Sequence, residues 1–212
     1  MDIGTWRIPA RIETERLVLR CYSLDDVPAM DAVIPANREH LETFLPWARE
    51  EPIGTDKRTE LVEEFIAKFT AREDFTMGIF DRATGEYIGG TGFHTRQGPG
   101  ILEIAYWLAE NRQGRGLMTE AAAALTRVAV SHAHAQRVEI RCDPQNIKSR
   151  NIPERLGFVF EGSHTGPCGS DQREELQEVW VLTPETFADS AASAAPRPQT
   201  FDANGSPLQW AV

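Results

Sequence analysis

The first third of the chain shows one strand pattern and three helical patterns. Residues 16–20 alternate polar and apolar side chains, as a half-buried strand does. Residues 23–33 begin with Ser-Leu-Asp-Asp, a capping-box pattern that predicts a helix. A short helix is predicted over residues 40–47, ended by Pro46. Apolar residues in 55–72 then recur at the spacing of an amphipathic helix.

The apolar period changes from 3.6 to 2 in the middle of the chain. Residues 75–80, 86–95 and 101–108 each read as a strand, separated by turn sequences at 81–85 and 98–100. Because both connections are short, the three strands are expected to form an antiparallel meander.

The second half alternates helices and strands. The pattern predicts a helix over residues 117–131, a strand over 138–142, a helix over 146–156, and strands from 157 and over 178–182. The strands on either side of the first of these helices should be parallel and joined by a right-handed crossover. The fold class is therefore α/β, a mixed α+β arrangement in a single domain.

The C-terminal segment changes in composition. Residues 184–198 are rich in Ala, Ser and Pro, which predicts a linker or mobile tail. An Asn204-Gly205 pair lies between apolar residues further on and could close a small hairpin. We therefore expect one domain over residues 12–183 and a tail over 184–212.

The bulk composition is that of a globular protein with a negative field. The 212 residues are 41% hydrophobic and 25% charged, and the net charge is −10. No apolar run approaches the roughly 20 residues that span a bilayer, and the N-terminus lacks a signal-peptide layout. These features predict a cytoplasmic protein without a membrane or direct nucleic acid partner, since the field repels phosphate backbones and favours cationic amines.

The cysteines and histidines do not suggest a metal site. The three cysteines, Cys21, Cys142 and Cys168, lie far apart, and His132 and His134 do not share a helical face. No Cys/His spacing suits zinc. We expect no metal, and three reduced, structural thiols.

A glycine-containing loop lies between the predicted strand 101–108 and the following helix. Gly114 and Gly116 would let backbone N–H groups approach an anion at the start of the helix, and Arg112 and Arg115 could contact phosphate directly. Two glycines alone also suit a plain loop. The segment lacks the Walker signature and the third glycine of the dinucleotide fingerprint, so a diphosphate is the favoured ligand.

Four segments around this loop carry a family resemblance. Residues 103–108, 113–121, 146–149 and 156–158 resemble the GNAT acetyltransferases, and more narrowly their RimJ/RimL branch, which acetylates the N-terminal amines of ribosomal proteins. The likeness extends over about residues 12–183. It implies a strongly twisted, mixed and mainly antiparallel sheet flanked by helices, with acetyl-CoA as co-substrate.

The resemblance also implies cofactor-binding residues. The pantetheine arm would be hydrogen-bonded by the strand end, at Tyr106, Trp107 and Leu108. The diphosphate would lie in the loop, made of Gln113, Gly114, Arg115, Gly116, Leu117, Met118 and Thr119. The pantetheine and the sulfur would meet the start of the next helix, at Asn146 and Ser149. Pro153 stands where many members carry a proton-donating tyrosine, which makes Ser149 the candidate donor.

Three further residues are candidates for the acceptor side. Glu103 is the first candidate for a catalytic base or amine-binding carboxylate, because strand alternation puts it on one face with Trp107; an exposed strand glutamate is the equal alternative. His94 is a weaker base, and Trp47 lies in the region that walls the acceptor site in relatives. Ser149 could also serve as the N-cap of the helix that follows it.

The leading functional interpretation is direct acetyl transfer in a ternary complex to the N-terminal α-amine of a ribosomal or other protein. An α-amine needs less help than a lysine, because its pKa is about 7.7–8.0 rather than about 10.4. The alternatives are a small-amine acetyltransferase acting on a polyamine, amino acid or aminoglycoside, and a non-catalytic acyl-CoA-binding module. A homodimer is left open.

Overall fold

A computed structural model describes residues 6–168 and 173–210, so the N-terminal residues considered for a signal peptide lie partly outside it. The chain forms one nine-stranded sheet in the order β7-β8-β6-β5-β4-β3-β2-β1-β9. The strands are β1 Arg11–Glu13, β2 Leu17–Cys21, β3 Phe75–Asp81, β4 Tyr87–His94, β5 Ile101–Leu108, β6 Arg137–Cys142, β7 Val159–Cys168, β8 Arg173–Leu182 and β9 Gln199–Phe201.

Helices cover both faces of the sheet. They are α1 Val27–Ala36, α2 Arg38–Leu41, α3 Thr55–Ala71, α4 Leu117–Ser131, α5 Ile147–Leu156, α6 Pro184–Phe187 and α7 Ala191–Ala194. None of the helices in the described ranges is both long and apolar enough to cross a bilayer.

The sheet confirms the predicted mixed and mainly antiparallel arrangement. β3, β4 and β5 form the expected antiparallel meander. β5 and β6, on either side of α4, are parallel, as predicted. β8 pairs antiparallel with both β6 and β7, which places β7 at one edge of the sheet.

Two apolar cores lie on opposite faces of the sheet. Residues of α4 and α5, such as Leu125 and Leu156, belong to one cluster with Ile104 of β5. Residues of α1 and α3, such as Met30 and Val62, belong to the second. Because alternate strand residues point to opposite faces, Ile104 and Tyr106 of β5 contact the first core while Trp107 packs against the second.

Two predicted helix boundaries are corrected. Pro46 does not end a helix: it begins a 3₁₀ turn over Pro46–Glu50, a position where its missing N–H costs nothing. The capping box at Ser23 is present, since the Ser23 N–H donates to the Asp26 carboxylate at 2.7 Å, but it opens a 3₁₀ turn that precedes α1.

The prediction that residues 184–198 form a linker or mobile tail is wrong. Phe187 and Ala192 are buried in the first core, and Arg127 of α4 donates to the carbonyl of Ala195 at 3.1 Å. β9 then pairs antiparallel with β1, and Phe201 bridges to Pro207 to close a small hairpin. Short apolar residues among Ala, Ser and Pro are enough to order this segment because the sheet edge and α4 supply the surface they pack on.

Candidate active site

β5 and β6 separate part of the way along their length. In these two strands, which are described throughout, pairing covers only Ile101–Glu103 of β5 and Arg137–Glu139 of β6. β5 continues to Leu108 and β6 to Cys142, and β6 pairs with β8 on its other edge over Val138–Cys142, so the facing edges of β5 and β6 are not paired beyond Glu103 and Glu139. The result is a V-shaped gap whose β5 side offers backbone N–H and C=O groups to an extended ligand.

The start of α5 meets β5 across this gap. The Tyr106 hydroxyl donates to the Ser149 carbonyl at 3.2 Å, and the Ser149 hydroxyl lies 3.4 Å from the Tyr106 oxygen. Asn146 is the N-cap of α5, and its side-chain oxygen accepts from the Ser149 N–H at 3.1 Å. Three residues chosen from the sequence therefore lie together, with two hydroxyl groups at the open end of the gap.

The helix position assigned to Ser149 is corrected. Ser149 is the third residue of α5 and not its N-cap, because Asn146 occupies the capping position. Its hydroxyl is consequently not engaged in capping and points to Tyr106.

Burial keeps the groups around Ser149 protonated. Burial raises the pKa of Tyr106 well above its ordinary value, against the smaller effect of its hydrogen bond with Ser149. Burial, with the nearby charges of Glu178 and Asp143, raises the pKa of the Cys142 thiol to about 12. Cys142 is thus a neutral thiol at physiological pH, as a structural cysteine should be.

The glycine loop has the backbone of an anion cradle. Gly114 and Gly116 have φ of 74° and 75°, in the left-handed region that favours glycine. Gly116 is the N-cap of α4, and the Glu120 N–H bonds to its carbonyl, so the N–H groups of the first turn point out of the helix. Leu117 and Met118 are buried, and any contact they make with an anion is through the backbone.

Gln113 ties the loop to its surroundings. Its side-chain nitrogen donates to the Leu108 carbonyl at 3.3 Å and contacts the His40 ring, and its oxygen accepts from Lys148 at 3.1 Å. The end of β5, α2 and α5 therefore meet above the loop. Of the two remaining predicted loop residues, Thr119 is half-buried in the first turn of α4, and Arg115 is exposed and donates to the Asn111 carbonyl at 3.1 Å.

The structure does not bring Glu103 to the Tyr106–Ser149 end of the gap. Glu103 lies where β5 is still paired with β6, and it is buried. Its carboxylate accepts from Arg96 Nε at 3.0 Å and from Gln97 at 2.7 Å. Burial alone would raise its pKa, but Arg96 and Gln97 hold the pKa below its ordinary value, which makes the group a weak base.

The other two acceptor-side candidates lie apart from each other. His94 is at the Glu103 end of the sheet, where its ring nitrogen contacts Asp74 at 2.8 Å. Trp47 lies at the opposite end, with its ring centroid 6.2 Å from that of Trp107. Gly90 makes room for Trp107, since a Cβ at that glycine would lie 2.5 Å from the Trp107 ring nitrogen.

A cleft lined by Pro46 and Arg49, which lie in the same turn as Trp47, contains residues that the sequence reasoning missed. It has a volume of about 400 Å³ and lies between the α2 region, the loop before α5 and β8. Asp143 and Glu175 supply carboxylates, Arg49 a guanidinium, and Leu176 an apolar side chain that is 52% exposed. The sequence could have indicated Asp143, because this residue comes directly after β6 and three residues before Asn146. It could not have indicated Glu175, because only the pairing of β8 brings that residue to the cleft.

No metal site accompanies these groups. Within residues 6–168 and 173–210, no cluster of three His, Cys, Asp or Glu side chains could hold a metal ion. Cys21 and Cys142 are free thiols, and the side chain of Cys168 lies outside the described residues.

Comparison with known proteins identifies the class to which this fold and site belong. Residues 16–159 match the family model described as acetyltransferase (GNAT) domain, so the chain belongs to the GNAT acetyltransferases. Within that family it falls with RimJ/RimL-like proteins. It is 31% identical over 157 residues to the ribosomal protein uS5-alanine N-acetyltransferase of Escherichia coli (strain K12), a match that covers 72% of this chain and 79% of that one.

Solved structures share the fold. Mycobacterium smegmatis RimJ, in complex with CoA-disulfide, superposes with a TM-score of 0.73 at 23% identity, covering 90% of this chain and 94% of that one. RimL, a ribosomal L7/L12 α-N-protein acetyltransferase in complex with coenzyme A, superposes with a TM-score of 0.71 at 21% identity, covering 82% and 99%.

Proposed function

We propose that this acetyltransferase uses acetyl-CoA to acetylate the N-terminal α-amine of a ribosomal or other cytoplasmic protein, by direct attack in a ternary complex. The observation that carries the proposal is the pair of hydroxyls of Tyr106 and Ser149 at the open end of the β5–β6 gap, 3.4 Å apart.

The residues present fit acetyl-CoA as the co-substrate. The gap beside Tyr106–Leu108 suits an extended pantetheine arm, and the loop at Gly114 and Gly116 suits a diphosphate. RimL and RimJ, which share the fold, were solved with CoA species. Bound acetyl-CoA supplies a thioester, whose acetyl group passes to the amine and whose thiolate leaves.

Ser149 is the proton donor in this proposal. Its hydroxyl can turn from the Tyr106 oxygen and give its proton to the departing thiolate. Ser149 regains a proton, through water, from the amine nitrogen, which loses one as the amide forms. The Tyr106 hydroxyl stays on the Ser149 carbonyl and fixes the start of α5. Tyr106 remains protonated because burial raises its pKa. A thiol with an ordinary pKa of about 8.5 is a tolerable leaving group, so a weak donor is sufficient.

The cleft at Asp143 and Glu175 is the proposed entry for the acceptor. Its two carboxylates outnumber the single guanidinium, that of Arg49, and so favour an ammonium group, in line with the net charge of −10. A protein α-amine is partly neutral at physiological pH, since its pKa is about 7.7–8.0, and loses its proton to water. Glu103 is therefore not required as a base, and its carboxylate serves the fold.

An acceptor series tests the proposal. Thiol release from acetyl-CoA would be followed with peptides that begin with a free Ala or Ser, and with the same peptides blocked at the N-terminus but carrying an internal lysine. Free N-termini should react and blocked peptides should not. Turnover only with polyamines, amino acids or aminoglycosides would move the assignment to a small-amine enzyme, and acetyl-CoA binding without any turnover would support the non-catalytic module.

A further inference from the structure

A second cavity adjoins the glycine loop and shares no lining residue with the acceptor cleft. It has a volume of about 470 Å³ and is lined by four arginines. They are Arg16, Arg82, Arg112 and Arg115. Leu117, the first residue of α4, also lines it, so the cavity begins where the loop ends.

The residues that line this cavity carry more positive than negative charge, unlike the whole chain. Its four guanidinium groups face two lining carboxylates, Glu15 and Asp81, whereas the chain carries a net charge of −10. Concentrated arginines in an acidic protein mark a place where an anion is favoured over the cations that the general field attracts. Guanidinium groups also match phosphate oxygens in geometry, through paired N–H donors.

Three of the arginines are held in place by neighbouring groups. Arg16 pairs with Glu120 at 2.6 Å, and Arg82 approaches Glu13 at 3.3 Å. Arg112 pairs with Glu86 and lies 3.5 Å from Asp81. These pairs fix the three guanidinium groups around the cavity and offset their charge, which leaves Arg115 as the main positive charge of the lining.

Arg115 differs from the other three. Its guanidinium donates to the Asn111 carbonyl at 3.1 Å, and it has no carboxylate partner among the residues that the structure describes. Its own carbonyl accepts from Arg16 at 2.9 Å, which ties the loop to the cavity wall. A Cβ at Gly116 would lie 3.7 Å from the Arg16 guanidinium, so the cradle and the arginines are immediate neighbours.

We propose that this cavity binds the 3′-phosphate of coenzyme A, with Arg115 as the main contact and Arg82 and Arg16 beside it. The inference rests on the proposed function. CoA carries a phosphomonoester on the ribose next to its diphosphate, so a diphosphate on the Gly114–Gly116 cradle brings a third phosphate to the neighbouring surface. A phosphomonoester holds between one and two negative charges at pH 7, which suits the arginines better than a diphosphate bridge does.

The test compares two ligands that differ only in that phosphate. Calorimetry would measure the binding of CoA and of 3′-dephospho-CoA to the wild type, Arg115→Ala and Arg115→Lys. Lys57→Ala is the matched control, because it removes one positive charge from an exposed position on α3, on the other face of the sheet.

The wild type should bind CoA about tenfold or more tightly than dephospho-CoA, as expected for a charge-assisted contact. Arg115→Ala should weaken the binding of CoA but not that of dephospho-CoA, which removes most of the ratio between the two affinities. Arg115→Lys should keep part of this ratio, and Lys57→Ala should keep all of it. Equal binding of both ligands by the wild type overturns the inference, as does an equal loss for both in Arg115→Ala. If the folded wild type binds neither ligand, the proposed function itself fails.

Discussion

One nitrogen of the Arg58 guanidinium lies 2.6 Å from both carboxylate oxygens of Glu51, and each of the two side chains is 2% exposed. Arg58 Nε also lies 3.2 Å from an oxygen of Asp31, so the pair ties α1 to α3 and to the segment after the Pro46 turn. That turn carries Trp47 and Arg49 on the acceptor side. A buried ion pair thus holds the wall of the proposed acceptor cleft.

Breaking this pair should cost both stability and acceptor affinity. Arg58→Ala leaves Glu51 buried without its cation, and we expect the free energy of unfolding to fall by about 3–5 kcal/mol. Any folded enzyme should show a raised acceptor KM while its acetyl-CoA affinity is retained. Urea unfolding and steady-state kinetics measure the two effects.

The matched control is Arg38→Ala, which removes an exposed ion pair with Glu42. Its effect on stability should stay within about 1 kcal/mol. If Arg58→Ala lowers the free energy of unfolding by less than about 1 kcal/mol, the buried pair does not hold the segment after the Pro46 turn.

Ser149→Ala should slow the chemical step. We expect kcat to fall about 100-fold if the hydroxyl protonates the leaving thiolate, with acetyl-CoA affinity nearly unchanged. Stopped-flow acetyl transfer and calorimetry separate the two quantities. Ser163→Ala, on the exposed part of β7, is the control and should behave as wild type. An unchanged kcat in Ser149→Ala would assign the proton to another group.

Gly89→Ala should disrupt the β4–β5 pairing. A Cβ at Gly89 would lie 2.3 Å from the carbonyl oxygen of Trp107, and backbone cannot move aside as a flexible side chain can. We expect a loss of about 1–3 kcal/mol or more in unfolding free energy. Gly166→Ala on β7 is the control, because nothing lies within 4 Å of its added Cβ, and it should stay within about 0.5 kcal/mol.

Glu103 should contribute to acid sensitivity. Because its pKa in the folded state lies below the ordinary 4.5, its contribution to stability is complete above that pH and is lost as the pH falls through the folded-state pKa. Glu103→Gln should therefore weaken the dependence of unfolding free energy on pH below about 4.5, and lower stability at neutral pH.

The same variant separates a structural Glu103 from a catalytic one. At neutral pH, folded Glu103→Gln should retain kcat near that of the wild type, since its carboxylate is committed to Arg96 and Gln97. Glu154→Gln, an exposed change on α5, is the control for the pH profile. A large loss of kcat in Glu103→Gln alone would restore it as the base.

Local patterns predicted most of the elements and the phosphate loop. α4 begins and ends where the apolar spacing indicated, and β5 has the predicted bounds. Gly114 and Gly116 take the left-handed conformation that a glycine-containing loop before a helix suggests. These features depend on neighbours within a few residues, whose chemistry can be read directly from the order of residues.

Contacts between distant segments were out of reach of such patterns. Strand alternation correctly put Glu103 and Trp107 on one face, but it could not show that β5 leaves β6 just beyond Glu103, since the extent of that pairing depends on two segments that α4 separates along the chain. Nor could it show the ordered tail, whose small side chains pack on α4 and whose β9 completes the sheet edge at β1.

The sequence by itself determined most of the element types, the glycine cradle and the family, because periodicity, turn chemistry and short motifs are local. Only the tertiary structure decided which side chains meet: Tyr106 with Ser149 across the gap, Arg58 with Glu51 under the acceptor wall, and four arginines beside the loop. Each of these contacts joins separate strands, helices or loops, and their side chains are brought together by the packing of the sheet and its two cores.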